Sequence, residues 1–168
     1  MPKKLPVAIN EEEFAGLIKA TLKPHHKLAF LLGFGAGLRV SEILHLESRD
    51  INIKERNILV RSGKGAKDRI VPLPKGFKVD MVSMLPFKIK VRALELAFKR
   101  SALKSKLLEK KPSIHFHSLR HGFGSQMAKN GVPIHHIRTL MGHSNISTTN
   151  VYLELNPQEA LKSYENLF

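Results

Sequence analysis

Apolar residues recur with a helical period at the start of the chain. Asn10 precedes Glu11, Glu12 and Glu13, and Phe14, Leu17 and Ile18 then fall on one face. An asparagine followed three positions on by a glutamate is a helix-start signature, and three acids suit the positive end of the helix dipole. Pro24 opens a second helix, since proline is tolerated in a first turn. Leu28, Leu31 and Leu32 carry it toward a glycine-rich stop at Gly33-Phe34-Gly35-Ala36-Gly37. A third begins near Val40-Ser41-Glu42, with Ile43, Leu44 and Leu46.

After Asp50 the period changes. Ile51-Asn52-Ile53, Asn57 to Arg61 and Arg69 to Leu73 are short β-branched runs. Turn-like Glu55-Arg56-Asn57 and Ser62 to Asp68 separate them, so a three-stranded antiparallel sheet is expected. Lys75 to Leu85 has no clear period. Phe87 to Lys110 is amphipathic and very basic, one helix or two, ended by Pro112. Ser118 to Lys129 reads as a helix stopped by Asn130-Gly131, and Pro133 to Met141 as a short one stopped by Gly142. Ser147 to Leu155 and a segment opened by Asn156-Pro157 complete the helical last third. The expected class is α+β, mainly helical with one small inserted sheet.

Composition narrows the function. The chain has 168 residues, room for one domain and a sizeable core, and no linker-like tract divides it. Lys and Arg number 28 against 14 Asp and Glu, a net charge of +14 that calls for a polyanionic partner. Nucleic acid is favoured over an anionic membrane surface. With no cysteine, disulfides and cysteine-based zinc sites are excluded. No apolar run approaches the roughly 20 residues of a membrane span, and Met1 to Leu5 lacks a signal peptide's apolar stretch. The expectation is a cytoplasmic protein associated with the nucleoid.

Four segments concentrate the chemistry. Gly37-Leu38-Arg39-Val40-Ser41-Glu42 sets an arginine where a glycine turn meets a helix. Gly63-Lys64-Gly65-Ala66-Lys67-Asp68-Arg69 brackets a lysine with glycines between two strands. His117-Ser118-Leu119-Arg120-His121 puts a histidine and an arginine three apart, on one helix face. Gly142-His143-Ser144-Asn145 is followed, nine positions after the histidine, by Tyr152. Phosphodiester transfer without a metal needs these parts. Forked guanidinium donors grip the non-bridging oxygens, and preorganised histidines meet the charge of the transition state. A lysine protonates the leaving 5′ oxygen, and a phenol attacks once its proton is drawn off. No acidic cluster stands ready for Mg²⁺, which disfavours a two-metal route.

Taken together these motifs, with Val71-Pro72-Leu73 after the lysine turn and Leu140-Met141-Gly142-His143-Ser144 before Tyr152, resemble the catalytic domain of the tyrosine recombinases, the phage integrases and Xer-type resolvases, and look closest to Xer-type and archaeal members. The resemblance spans about residues 10 to 160. It implies that Arg39 and Arg120 clamp the scissile phosphate, and that Lys64 approaches the leaving oxygen. It further implies that His117 moves the proton of Tyr152, that His143 hydrogen-bonds a phosphate oxygen, and that Tyr152 forms the 3′-phosphotyrosyl link. Glu42, one helical turn from Arg39, is the candidate for orienting that arginine. Lys67, Arg69 and His121 are expected DNA contacts. No cofactor is expected; the partners implied are double-stranded DNA and further copies of the chain on it, as dimer or tetramer. Full-length members also carry an N-terminal helical domain that completes a clamp around DNA. Residues 1–168 are expected to be the catalytic domain without it.

Other readings stay open at this level. Lys67 rivals Lys64, though the glycines flanking Lys64 favour close approach to phosphate. His115, His117 and His121 raise a zinc site, but His117 and His121 give only two ligands at helical spacing. A non-catalytic DNA-binding remnant and a topoisomerase of the same chemistry both fit the charge. His135 and His136 read as surface or packing residues, and Tyr164 lacks the histidine spacing of Tyr152.

Overall fold

The computed structural model describes residues 7–61 and 68–142. Chain order is α1 (Glu11–Ala20), α2 (Pro24–Gly35), α3 (Val40–Leu44), a 3-10 turn (Ser48–Asp50), β1 (Ile51–Asn52), β2 (Asn57–Val60) and β3 (Arg69–Pro72). A second 3-10 turn (Val79–Met84), α4 (Val91–Lys104), α5 (Leu107–Lys110), α6 (His117–Lys129) and α7 (Ile134–Met141) follow. The expected helices from Ser147 onward lie outside the described residues.

The local signals act as anticipated at α1. Asn10 Oδ1 accepts from the Glu13 amide at 2.8 Å, and Glu13 accepts from the Asn10 amide at 2.9 Å. Such a reciprocal cap satisfies two of the helix's unpaired donors. Glu13 also receives Lys111 Nζ at 2.7 Å, and Lys111 donates to the Ala8 carbonyl at 2.8 Å. This ties the entry segment to the connection before α6.

The stretch Gly33 to Gly37 stops α2 as expected: the helix ends at Gly35, having run through Gly33 packed along α6. Tertiary burial overrides the low helix propensity of glycine there. Lys75 to Leu85, without a period, contains the 3-10 turn Val79–Met84, whose residues are half-buried or exposed.

α2 lies at the centre. Leu28, Ala29, Phe30 and Leu32 are all buried, so the helix is covered nearly all round by α1, α4 and α6. Phe30, Phe98 and Phe116 meet edge-to-face, with centroids 5.6, 5.8 and 6.0 Å apart, joining α2, α4 and the start of α6. Each such pair adds about 1 kcal/mol beyond area burial. A second cluster of Phe123, Met127, Val132, Ile137, Leu140 and Met141 seats α7 on α6.

The sheet is antiparallel in the order β1-β2-β3, with Ile58 opposite Val71 and Val60 opposite Arg69. Ile58, Val60 and Val71 are buried. β3 has Arg69 as its first residue, and it contacts α7.

Candidate active site

Arg39 sits in extended conformation at the N-cap of α3, two residues after Gly37. Gly37 has φ +66°, and a Cβ there would lie 2.6 Å from Phe123 Cδ1. Only glycine lets the backbone both turn and approach α6. Arg39 is thereby aimed back over the site, with its side chain 38 % exposed. Glu42 accepts from the Arg39 amide at 2.8 Å and from the Arg39 guanidinium at 3.0 Å. Glu42, expected to orient Arg39, thus touches it through both backbone and side chain.

Arg120 comes from α6 and is buried, with 1 % of its surface exposed. It donates to the Gly37 carbonyl at 2.6 Å and to the Met141 carbonyl. Arg39 donates to the next carbonyl, Gly142, at 3.2 Å. The two arginines, 81 positions apart in sequence, thus converge on neighbouring peptide groups at the end of α7. Guanidinium carries five N–H donors, so each keeps donors beyond those used here. Among the described residues, Arg120 Nε has no acceptor. Burial, then the nearby charge of Arg39, pushes Arg120 down to about 10, against the partial support of Glu42. It remains cationic at neutral pH. Two cations held together, one of them buried, repel each other and suit a dianion-like transition state.

His117 opens α6, one turn before Arg120. Its ring meets that of His121 edge-on at 4.7 Å and stacks toward His115 at 6.3 Å. Loss of water and then the positive fields of His121, Arg120, His115 and Arg39 push His117 down to about 4. At neutral pH it is an uncharged imidazole, able to accept a proton. His121 is lowered too, by burial first and then by His115 and Arg120. Both histidines lie close enough to Arg120 for its charge to lower them.

Arg69 departs from its expected role as a DNA contact. Its guanidinium forks onto Glu42, with bonds of 2.8 and 2.9 Å, and its Nε donates to the Leu140 carbonyl at 2.8 Å. All three nitrogens are engaged inside the chain, and the side chain is only 9 % exposed. Desolvation would raise the Glu42 carboxyl, but the Arg69 fork and the Arg39 amide overcome it and hold Glu42 below the usual carboxylate range. Sequence reasoning missed this brace, although one signal was present: Glu42 is an acid lodged inside an arginine motif of a chain with few acids.

Lys64, Lys67, His143 and Tyr152 lie outside the described residues. His135 is exposed and His136 buried at the edge of α7. Among the described residues, no three His, Asp or Glu side chains stand close enough to hold a metal.

Residues 8–85 and 82–159 match the model of the phage integrase family. The chain belongs to the phage integrase family. Among similar proteins of this family, the tyrosine recombinase XerA of Thermococcus onnurineus is 35 % identical over 180 residues, covering 98 % of this chain and 64 % of the relative. The XerA of Pyrococcus horikoshii is 32 % identical over 178 residues, covering 98 % and 62 %. The chain thus spans just under two thirds of the length of these curated relatives. A crystal structure of XerA recombinase superposes with a TM-score of 0.69 at 28 % identity, covering 98 % of this chain and 66 % of that one. The lambda integrase catalytic core, at 17 % identity and a TM-score of 0.66, covers 85 % of this integrase-family chain and 95 % of its own. That likeness shows a shared fold.

Proposed function

We propose that this protein cuts and rejoins DNA through a covalent 3′-phosphotyrosine on Tyr152. The observation that carries the reading is the convergence of Arg39 and Arg120 on adjacent carbonyls at the end of α7, beside an uncharged His117. One phosphate between the two guanidiniums receives forked donors from both, with Arg120 held out of water.

The reaction then balances without an outside energy source. The Tyr152 oxygen attacks phosphorus and its proton passes to His117. The bond from phosphorus to the 5′ oxygen breaks, and Lys64 protonates that oxygen. His143 donates to a non-bridging oxygen. A 5′ hydroxyl attacking the phosphotyrosine runs the same steps backward. Lys64, His143 and Tyr152 enter by their motifs, Arg39, Arg120 and His117 by motif and geometry together.

The partner in this reading is duplex DNA, met in the cytoplasm, by more than one copy of the chain. One solved relative of the same fold is a lambda integrase dimer bound to a core site, and another a tetramer on a Holliday junction. Residues 1–168 act as the catalytic domain. Among the described residues, no helix is long and apolar enough to cross a membrane.

The test is capture of a nicked duplex, from a pool of randomised sequence, as a protein–DNA species that survives detergent. Tyr152→Phe should abolish capture and leave binding within about threefold, since one hydroxyl among many phosphate contacts contributes little affinity. Capture persisting in that variant removes Tyr152 as the nucleophile. Relaxation of supercoiled plasmid without site preference would instead favour the topoisomerase reading.

A further inference from the structure

Three consecutive peptide carbonyls at the end of α7 each accept from a different arginine. Leu140 takes Arg69, Met141 takes Arg120, and Gly142 takes Arg39. The donors come from β3, α6 and the start of α3, three elements with no local link in sequence. The last carbonyls of a helix lack partners within it and carry the negative end of its dipole, so cations are favoured there. Gly142 closes the helix with φ +60°, and a Cβ on it would lie 2.9 Å from the Arg69 guanidinium.

Arg69 differs from the other two. The hydrogen bonds of Arg39 and Arg120 within the chain run from two guanidinium nitrogens each, whereas those of Arg69 run from all three, onto Glu42 and Leu140. Glu42 in turn holds Arg39 by both its amide and its guanidinium. One buried side chain therefore joins three things: the carboxylate that aims Arg39, the end of α7, and the first residue of β3. From Gly142 the chain continues directly to His143.

We propose that Arg69 is a positioning residue, a fork that locks Glu42 against the end of α7 and so fixes both the direction of the Arg39 guanidinium and the point where the chain departs toward His143. This rests on the proposed function for its catalytic consequence, but its structural half stands apart. Lysine in place of Arg69 keeps the charge and loses the fork, because a single ammonium cannot pair both carboxylate oxygens and a carbonyl in that planar arrangement. A displacement of about 1 Å in a catalytic group costs on the order of a hundredfold in rate.

The experiment uses the full chain with Arg69→Lys, Glu42→Gln and the double variant. Three quantities are read: the single-turnover rate of covalent capture from the randomised nicked pool, affinity for that pool, and the order of the Arg39 Nε–Hε group by ¹⁵N relaxation. Expected are a roughly 10- to 100-fold slower capture by Arg69→Lys, affinity within about twofold, and an Arg39 group that becomes mobile. The double variant should be no slower than the slower single, since both act through one link. Multiplying effects, a fall in affinity with unchanged rate, or an Arg39 group as ordered as before would each overturn the proposal. If Arg69→Lys does not fold, Glu42→Gln carries the same relaxation test. If the unmodified protein captures no DNA, the proposed function fails, and the Arg39 relaxation alone decides the positioning.

Discussion

At the scale of single residues, the site is defined by which protonation states it enforces. His117 stands among Arg39, Arg120, His115 and His121, and losing water adds to their repulsion of a proton. Its folded value, about 4, lies below the ordinary 6.5, so the unfolded chain binds more protons between those limits. Stability from this group is complete above about pH 6.5 and is lost as pH falls toward 4; His121 shifts in the same direction. Thermal denaturation between pH 7 and 4 should show a falling Tm, and His117→Gln should flatten part of that fall. An unchanged pH dependence in that variant would mean His117 is not depressed. A phosphate between the arginines offsets their charge, so NMR titration of His117 should give a higher value with DNA bound than without. Arg39→Lys and Arg120→Lys should each lower the capture rate by about 10²-fold or more, because each removes a forked donor from the charge that develops at phosphorus.

At the scale of elements, close approach decides where the arginines point. Gly37 turns with positive φ against Phe123, so Gly37→Ala brings both backbone strain and overlap. The sum is about 2–4 kcal/mol, or a Tm lower by on the order of 10 °C for a chain of this size. A shift under 1 °C measured calorimetrically would contradict the packing described. Elements of this kind were legible in the sequence where the signal is local. The α1 cap, the three strands, the Asn130-Gly131 stop and the Gly142 stop all follow from residues within a few positions of one another. Val79–Met84 was not legible, because a 3-10 turn of half-buried residues imposes no period. The end of α2 within Gly33 to Gly37 was legible, but contacts between stretches far apart along the chain were not. Arg69 was misread for the same cause: its partners are 27 and 71 positions away.

At the scale of the molecule, a charge of +14 is spread over a surface whose acids are partly consumed by internal pairs. Glu13 holds Lys111, Glu42 holds Arg39 and Arg69, and Asp50 holds Arg61. Binding to DNA of random sequence should therefore weaken steeply with salt, by on the order of 10³-fold between 50 and 200 mM. A salt-insensitive affinity, measured by fluorescence anisotropy, would argue against phosphate contacts as its source. The six residues singled out by motif belong to four separate segments of chain, and the fold brings Arg39, Arg120 and His117 to one place.

The most direct test of the central claim is to digest the protein after it has captured a nicked duplex and to map the DNA-linked peptide by mass spectrometry. The account predicts a nucleotide joined through its 3′ phosphate to Tyr152. A link at Tyr164 or any other residue, or one through a 5′ phosphate, contradicts it.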